Sequence, residues 1–313
     1  MERGWKVWLA LGIVYIVWGS TYFAIKVSVE TLPPLLSSGM RFTVAGLLLT
    51  AILAVRRTPL RVPWREARAA AGIGILLLAC GVGVVTVAET RVDSSVAAII
   101  AGSVPLQVIL WRTLAREHVA TATKLSAVVG LAGLVLIIAP TGISGGDVAI
   151  GLAMMLAASI AWSTGSFISR RVPLPKDPLV ATVYEMFGGG CVLVVIALAL
   201  GDGREISVNE VSTASFAAWL YLVVFGSLIA FTAYAWLLHN APISKVVTHQ
   251  YVNPLVAIVL GGLFLGESLD PATAVGAVIV IGAVFVTIRS ESRSTTEPVA
   301  LKAGAAAPAT GEK

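Results

Sequence analysis

A cluster of polar side chains lies within one long apolar stretch of the sequence, positions 245–270. His249 and Asn253 are four residues apart and therefore share one face of a helix, and Gln250 lies beside that face. Pro254 follows directly, and a proline leaves the carbonyl group four residues earlier without its helical hydrogen-bond donor. Because polar groups in a bilayer need protein or a water-filled cavity beside them, this cluster predicts a polar site inside a membrane.

The first half of the chain contains a weaker version of the same pattern. Positions 94–117 form an apolar stretch with Pro105 near its middle, and Gln107 follows two residues later. Interrupted helices at matching places in two halves of a chain are typical of the central site of a transporter. We therefore treat Pro105 and Pro254 as helix-breaking residues. The alternative is that the polar side chains only join helices by hydrogen bonds, each worth less than about 1 kcal/mol.

Two ionisable residues are predicted to lie deep inside apolar helices. Arg41 is about nine residues into the second apolar run, which is roughly 13 Å deep. It either holds an anionic substrate or acts in gating, or it is a structural ion pair or a snorkelling side chain. Glu185 occupies the corresponding place in the second half; it is a candidate proton carrier, although the sequence favours an ion pair with Arg41 or another cation. Glu89 lies beside Arg91 at the outer end of its span, where we expect at most a wet vestibule residue.

Aromatic residues also occur well inside predicted spans. Trp18 and Tyr22 lie in the first span, and Trp162 lies some fourteen residues into the sixth, too deep for an interfacial aromatic belt. These side chains either line a pocket in the membrane or pack in an ordinary core. The candidate residues for substrate binding and translocation are Trp18, Tyr22, Arg41, Gln107, Trp162, Glu185, His249, Gln250 and Asn253.

The composition identifies the class of protein that must position these residues. Of the 313 residues, 57% are hydrophobic and 12% are charged, and the mean hydropathy is +0.91. Soluble domains carry about twice that charged fraction, so the sequence predicts an all-α membrane protein. The net charge of +5 comes from basic residues that flank the spans, so it does not predict nucleic-acid binding. Cys80 and Cys191 both fall in apolar segments and imply no disulfide framework.

Apolar runs long enough to span a bilayer recur along the chain. We expect ten transmembrane helices with both termini in the cytoplasm, because nearly all Lys and Arg residues then lie inside. Only Lys26, Arg91 and Arg204 are expected outside. The first run lacks a small-residue cleavage site, so we expect it to remain as an anchor. The predicted spans are 7–25, 32–55, 68–88, 94–113, 122–140, 148–169, 178–200, 213–238, 243–265 and 271–289.

The two halves of the chain align with each other as an internal repeat. At an offset of 144 residues Trp18 matches Trp162. At an offset of 149 Pro105 matches Pro254. Since each repeat contains an odd number of spans, the second copy should enter the membrane upside down, as in many secondary transporters. The expected domains are a cytoplasmic N-terminus (1–6), a first repeat (7–140), a second repeat (146–289) and a disordered cytoplasmic tail (290–313).

Several kinds of chemistry have no signal in the sequence. His118, His239 and His249 have no metal-binding spacing with one another or with the cysteines. There is no GxxxxGKS/T phosphate-binding loop and no G-x-S-x-G nucleophile motif. We therefore expect no cofactor, no metal and no enzymatic activity, and an ATP-driven pump would need another chain.

Five stretches of the sequence carry motifs of a known family. They are WGSTYFAIK (18–26), PPLLSSGMRF (33–42), VTVAETR (85–91), FGSLIAFTAYAWLL (225–238) and YVNPLVAIVLGGLFLGESL (251–269). Together they resemble the drug/metabolite transporter superfamily, EamA type, and within it the YedA-like branch of inner-membrane transporters. The LGE that ends the second repeat is degraded to LARE at 114–117 in the first. The resemblance implies ten helices in two inverted EamA repeats in the bacterial inner membrane.

The resemblance also implies secondary transport, mostly export of small metabolites or drugs. Our main hypothesis is alternating access, in which the repeats rock about a site at the membrane midplane, with protons as a candidate coupling ion. Uptake of a metabolite such as an amino acid or nucleobase is the alternative, and a non-transporting receptor or scaffold is a more distant one. The expected partners are a small-molecule substrate and the lipid bilayer, and the protein is expected to be a monomer or homodimer.

Overall fold

The computed structural model describes residues 2–92, 97, 100–138, 148–202, 210–256 and 271–294. These residues form helices joined by turns and short irregular segments, with no strand among them. The helices are α1 (Glu2–Ser28), α2 (Pro34–Val55), α3 (Trp64–Ala88), α4 (Val104–Leu114), α5 (Thr121–Ile138), α6 (Val148–Ile168), α7 (Pro178–Leu200), α8 (Thr213–Asn240), α9 (Ile243–Val246), α10 (249–256) and α11 (Pro271–Ser294). The expected all-α class is therefore confirmed for the described part of the chain.

Six of the described helices are long and apolar enough to cross a membrane: α1, α2, α3, α6, α7 and α8. This number is below the ten predicted spans, of which 94–113, 122–140 and 243–265 extend beyond the described residues.

The chain termini also differ from the prediction. The first helix begins at Glu2 rather than at 7, and α11 continues to Ser294. Both end helices therefore extend past the predicted spans, and residues 290–294 are helical although they were expected in the disordered tail. The cytoplasmic placement of the N-terminus and of the tail stays a prediction. The rest of the predicted tail, 295–313, lies outside the described residues.

Aspartates fix where α2 and α7 begin. Asp177 precedes α7, and its Oδ1 accepts a hydrogen bond from the backbone N–H of Leu179 at 2.9 Å. No side chain caps α2 from the residue before it. Instead Asp202, which follows α7, accepts hydrogen bonds from the backbone N–H groups of Leu35 and Leu36 at 3.0 and 2.9 Å. The start of α2 therefore lies beside the end of α7.

The helices α2 and α7 pack closely and run in opposite directions. Near the start of α2, a Cβ on Gly39 would lie 3.1 Å from the carbonyl oxygen of Gly190. Further along α2, a Cβ on Gly46 would lie 3.2 Å from the Cβ of Met186. The contacts move backwards along α7 as they move forwards along α2, so the pair is antiparallel. Small residues at these positions let the helices approach closely.

The helices α5 and α11 form a second antiparallel pair. The hydroxyl groups of Ser126 and Thr287 are hydrogen-bonded at 2.7 Å. Further along α5, a Cβ on Gly133 would lie 3.1 Å from the carbonyl oxygen of Gly276, which precedes Thr287 on α11. In the repeat alignment α2 matches α7 and α5 matches α11, and antiparallel packing of matched helices is the arrangement expected of inverted repeats.

The middles of α3 and α8 are π-helical, at Ile75–Gly83 and Leu222–Phe231. The two segments take matching places in the aligned halves. A π-helical turn is rare and frequently occurs at a functional site. Nothing in the apolar pattern of either span predicts it.

Both halves contain an interrupted helix, but the two prolines relate to the interruptions differently. In the first half a turn at 102–103 precedes α4, and Pro105 lies in the first turn of that helix. In the second half the turn is at 247–248, between α9 and α10, whereas Pro254 lies inside α10. The expectation that the helix breaks at Pro254 is therefore corrected. A proline removes one hydrogen bond from a membrane helix without necessarily ending it.

Candidate functional site

A cavity lies between α1, α2, α3, α6, α8 and α10, beside the start of α4. Its volume is about 90 Å³, which is room for several water molecules at about 10–15 Å³ each. All predicted site residues except Gln107 and Glu185 line it. Those that do are Trp18, Tyr22, Arg41, Trp162, His249, Gln250 and Asn253. The structure thus brings together residues from both halves of the chain.

The centre of the cavity wall is an aromatic cluster. The ring of Trp18 lies edge-on to Trp162, with centroids 5.3 Å apart. The Trp18 centroid is also 4.9 Å from that of Tyr234 and 5.0 Å from that of His249. Such aromatic contacts contribute about 0.5–1.5 kcal/mol each beyond their buried area. The cluster therefore joins α1, α6, α8 and α10 and holds the His249 ring in place.

Each tryptophan of the cluster packs against a π-helical segment of the other half. The indole N–H of Trp18 donates a hydrogen bond to the carbonyl oxygen of Gly226 in α8 at 3.0 Å. A Cβ on Gly81 in α3 would lie 3.1 Å from the Trp162 ring. Trp18 and Trp162, which the repeat alignment matches, thus contact each other at the cavity wall, and each also contacts a π-helical segment.

Three polar atoms of α10 are buried without a hydrogen-bond partner among the described residues. They are Nε2 of His249, Oε1 of Gln250 and Oδ1 of Asn253. A buried polar group without a partner costs about 1–3 kcal/mol, and native proteins contain few of them. Three such atoms on residues that line one cavity indicate a place where water or a ligand supplies the missing hydrogen bonds.

The hydrogen bonding of His249 fixes the role of each ring nitrogen. Its Nδ1 lies 2.9 Å from the carbonyl oxygen of Val246, and a carbonyl oxygen can only accept a hydrogen bond. The proton of the neutral ring is therefore on Nδ1, and Nε2 carries a lone pair. His249 is fully buried, so this lone pair is an acceptor in a place that bulk water does not reach.

Arg41 supplies the positive charge at the cavity. Its Nε donates a hydrogen bond to the hydroxyl of Ser227 on α8 at 2.7 Å, and its guanidinium carbon lies 4.9 Å from the centre of the Phe42 ring. A Cβ on Gly226 would lie 2.8 Å from a terminal nitrogen of Arg41, so this glycine makes room for the guanidinium group. Within the described residues Arg41 forms no ion pair and its terminal nitrogens donate no hydrogen bond. These donors are therefore free for a ligand.

Glu89 is fully buried next to this region, which corrects the expectation of a wet vestibule residue. Both of its carboxyl oxygens lack a hydrogen-bond partner among the described residues. Lys26 donates to the backbone carbonyl oxygen of Glu89 at 3.3 Å, and the charges of Lys26 and Arg41 both act on its carboxyl group. The end of α3 packs against α2 and α6, and Lys26 of α1 reaches its backbone; these are long-range contacts that the local sequence does not reveal.

Glu185 lies away from the cavity, against α3. It is 3% exposed, and its Oε2 has no hydrogen-bond partner among the described residues. A Cβ on Gly74 of α3 would collide with the backbone carbonyl of Glu185, so the two helices touch at this point. The expected ion pair between Arg41 and Glu185 is not formed: the Arg41 guanidinium bonds to Ser227 of α8, and Glu185 takes part in no ion pair among the described residues.

Gln107 also lies outside the cavity wall. Its Nε2 donates hydrogen bonds to the hydroxyl groups of Ser103 and Ser159 at 2.8 and 2.9 Å. Its Oε1 accepts a hydrogen bond from Ser163 at 2.8 Å. Gln107 therefore joins α4 to α6, which is the interhelical role that the sequence left open as the alternative to substrate binding.

Several cavity residues were not predicted from the sequence. Ile25 lines the cavity, and it follows Trp18 on α1 by seven residues, a helical spacing by which it could have been found. Gly226 and Gly81 also line it, but both belong to the π-helical segments and carry no polar or aromatic signal. In the part of the chain that the structure describes, no three His, Cys, Asp or Glu side chains come together to hold a metal ion.

Several known proteins that are similar to this chain are named transporters. The sequence profile of the EamA-like transporter family matches residues 5–139 and 149–289. The chain is 39% identical over 282 residues to the uncharacterized inner membrane transporter YedA of Escherichia coli (strain K12), which covers 89% of this chain and 90% of the relative. It is 31% identical over 282 residues to the protein PecM of Dickeya dadantii (strain 3937), covering 86% and 88%. A solved crystal structure superposes with a TM-score of 0.74 at 20% identity, over 92% of this chain and 98% of the other, which shows a shared fold.

Proposed function

Because this chain belongs to the EamA-like transporter family and is a membrane transporter, we propose that it moves a small molecule through the cavity by alternating access. The observation that carries this proposal is the set of unpartnered polar atoms at His249, Gln250 and Asn253. A sealed, dry core would leave each of them at a cost of about 1–3 kcal/mol, whereas a substrate or water removes that cost. The cavity is therefore the substrate site.

The proposed architecture is ten helices in two inverted repeats, 7–140 and 146–289, in the bacterial inner membrane with both termini in the cytoplasm. Two findings support the repeats: the antiparallel packing of the matched helices, and the match of the family profile to two separate stretches of the chain. The matched residues Trp18 and Trp162 contact each other at the cavity. Rocking of the two halves about this contact exposes the cavity to each side of the membrane in turn.

The proposed direction is export, with proton antiport as the energy source. Two buried carboxyl groups support this choice, because Glu89 and Glu185 have oxygens without a hydrogen-bond partner and no ion pair among the described residues. Each can take up or release a proton without breaking a salt bridge. Ionisable residues inside membrane proteins mark proton relays in many transporters. Uptake is the alternative, and the sign of the dependence on the proton gradient distinguishes the two.

The test is transport by the full-length protein in proteoliposomes. Radiolabelled amino acids, nucleobases and cationic drugs are offered as separate classes, with the interior either more acidic or more alkaline than the outside. We expect at least one class to cross faster than in empty liposomes, at a rate that changes when the gradient is reversed. If the folded protein transports none of the classes, the proposal is wrong.

A matched pair of variants connects the transport to the cavity. Asn253→Leu removes an unpartnered acceptor from the site, whereas Asn240→Leu changes an exposed asparagine at the end of α8. We expect Asn253→Leu to slow transport by roughly tenfold or more, since one lost hydrogen bond is worth about 1.4 kcal/mol or more at a buried site. Asn240→Leu should transport like the wild type. Equal rates for the two variants would contradict the assignment of the cavity.

A further inference from the structure

We propose that the cavity binds a planar aromatic compound that carries an anionic group at one end and an N–H donor at the other. This inference rests on the proposed transport function, because it names the substrate class of the same cavity. It follows from which polar atoms the two halves of the chain offer, and from the aromatic ring that connects them.

The anionic end is assigned by Arg41. Among the described residues that line the cavity, Arg41 is the only Lys, Arg, Asp or Glu. Its Nε is already bonded to Ser227, which holds the guanidinium plane in position, and its terminal nitrogens have no protein partner in the described chain. A planar pair of donors of this kind matches a carboxylate. The same charge repels an organic cation, which the chemistry of this wall therefore disfavours.

The donor end is assigned by His249. Because Nδ1 donates to Val246, the neutral ring can offer only the lone pair of Nε2 to a ligand. A ligand that places an N–H group against Nε2 gains a hydrogen bond, whereas a ligand that places a carbonyl or carboxylate oxygen against Nε2 does not. The neighbouring amides of Gln250 and Asn253 are less selective, since each can present either an oxygen or an NH₂ group.

Trp18 connects the two ends. One edge of the Arg41 guanidinium lies against Gly226, and the carbonyl oxygen of Gly226 accepts the indole N–H of Trp18. The Trp18 ring also contacts His249, with centroids 5.0 Å apart. A ligand that reaches both Arg41 and His249 therefore meets the Trp18 ring, and an aromatic body is the kind that packs well against it.

Equilibrium dialysis with radiolabelled para-aminobenzoate tests the inference on the purified full-length protein. This compound has the carboxylate, the ring and the N–H donor, whereas unlabelled benzoate lacks the donor and aniline lacks the anion. We expect para-aminobenzoate to compete for the site at roughly tenfold lower concentration than either relative, because each missing group loses at least one buried hydrogen bond. Equal competition by all three compounds, or no saturable binding to folded protein, would overturn the inference.

Two variants assign the ends separately. Arg41→Met should abolish the preference for para-aminobenzoate over aniline and keep some preference over benzoate. His249→Phe keeps an aromatic ring beside Trp18 and should abolish the preference over benzoate while keeping that over aniline. The controls Arg61→Met and His239→Gln change exposed residues away from the cavity and should bind like the wild type. If neither preference changes in its variant, the assignment is wrong.

A further variant separates loss of binding from loss of folding, and a transport measurement separates failure of the substrate class from failure of the transport function. If Arg41→Met does not fold, Arg41→Lys keeps the charge but loses the planar pair of donors, and we expect an intermediate loss of affinity for para-aminobenzoate. An affinity equal to that of the wild type would count against carboxylate recognition by Arg41. Transport of any class in proteoliposomes without binding of para-aminobenzoate would reject the substrate class and leave the transport function intact.

Discussion

In the first half of the chain Arg41 packs against α8 and faces the cavity, whereas in the second half the matched Glu185 packs against α3 and lies away from it. The helices that carry them, α2 and α7, form one antiparallel pair. Arg41 contacts the third helix of the opposite half through its side chain, whereas Glu185 contacts it through its backbone. The same position of the aligned halves therefore lines the cavity in one half and contacts a neighbouring helix in the other.

This difference shows how two similar halves build a site with distinct ends. The first half supplies the positive charge of Arg41, and the second supplies the acceptors of α10. The aromatic pair Trp18 and Trp162 is the part that both halves share. A site with unlike ends can orient an unsymmetrical substrate, which two identical copies of one repeat could not do.

The largest expected effect is at the contact of Glu185 with α3. Gly74→Ala places a methyl group against the backbone of Glu185. Because backbone on both sides must move, we expect a loss of unfolding free energy at or above the upper end of the about 1–3 kcal/mol typical of overpacking. Gly72→Ala is the matched control, since a Cβ there would meet nothing within 4 Å. Thermal unfolding in detergent measures both, and equal melting temperatures would contradict the described packing.

A double-mutant cycle identifies the carboxyl group that is coupled to Arg41. The structure makes Glu89 the partner, through the electrostatic effect of each on the other, although the two form no direct ion pair. We expect a coupling free energy of about 1 kcal/mol between Arg41→Gln and Glu89→Gln. The combination of Arg41→Gln with Glu185→Gln should be additive within about 0.5 kcal/mol. Denaturant unfolding gives the values, and a larger coupling to Glu185 would reverse the comparison of the halves.

The caps of α2 and α7 differ in origin and should be similar in strength. Asp177→Ala removes a cap supplied from within the same half, and Asp202→Ala removes one supplied across the halves. Each should reduce the unfolding free energy by about 1 kcal/mol. Hydrogen exchange should rise at Leu179 in the first variant and at Leu35 and Leu36 in the second. Exchange that rises at both helix starts in both variants would show that the caps do not act separately.

The smallest expected effect is at a surface ion pair between the halves. Glu117 pairs with Arg112 at 3.0 Å and also with Arg171 of the second half, and the Glu117 side chain is 38% exposed. Exposed pairs are worth at most about 1 kcal/mol and are screened by salt. Glu117→Gln should therefore lower the melting temperature slightly at low salt, and the difference should disappear at high salt. A difference that persists at high salt would mean that the pair is not screened as an exposed pair should be.

Much of the cavity could be predicted from the sequence, because a polar side chain deep in a membrane span is costly unless it faces protein or a water-filled cavity. His249, Asn253 and Arg41 all line the cavity, and so does Trp162, which lies too deep for an interfacial belt. Most helices were likewise predicted close to their bounds, since the length of an apolar run reflects the thickness of a bilayer. The two-repeat division and the membrane orientation remain predictions.

The surroundings of each residue could not be predicted, because they depend on contacts between distant parts of the chain. The sequence contains no signal for the close approach of the Glu185 backbone to Gly74 of α3. Gln107 resembles a site residue in its local pattern, yet three serines satisfy it. The π-helical segments are also invisible in an apolar sequence, since they change the number of residues per turn and not the residue types.

The pair of α2 and α7 has a mechanical consequence. It is held by glycine contacts along its length and by Asp202 at one end, where the carboxylate bonds two backbone groups of the partner helix. Pulling the two helices apart would break those bonds and open voids where no side chain is long enough to fill them. The pair therefore links the two halves along this line, so the proposed rocking of the halves has to keep α2 and α7 in contact.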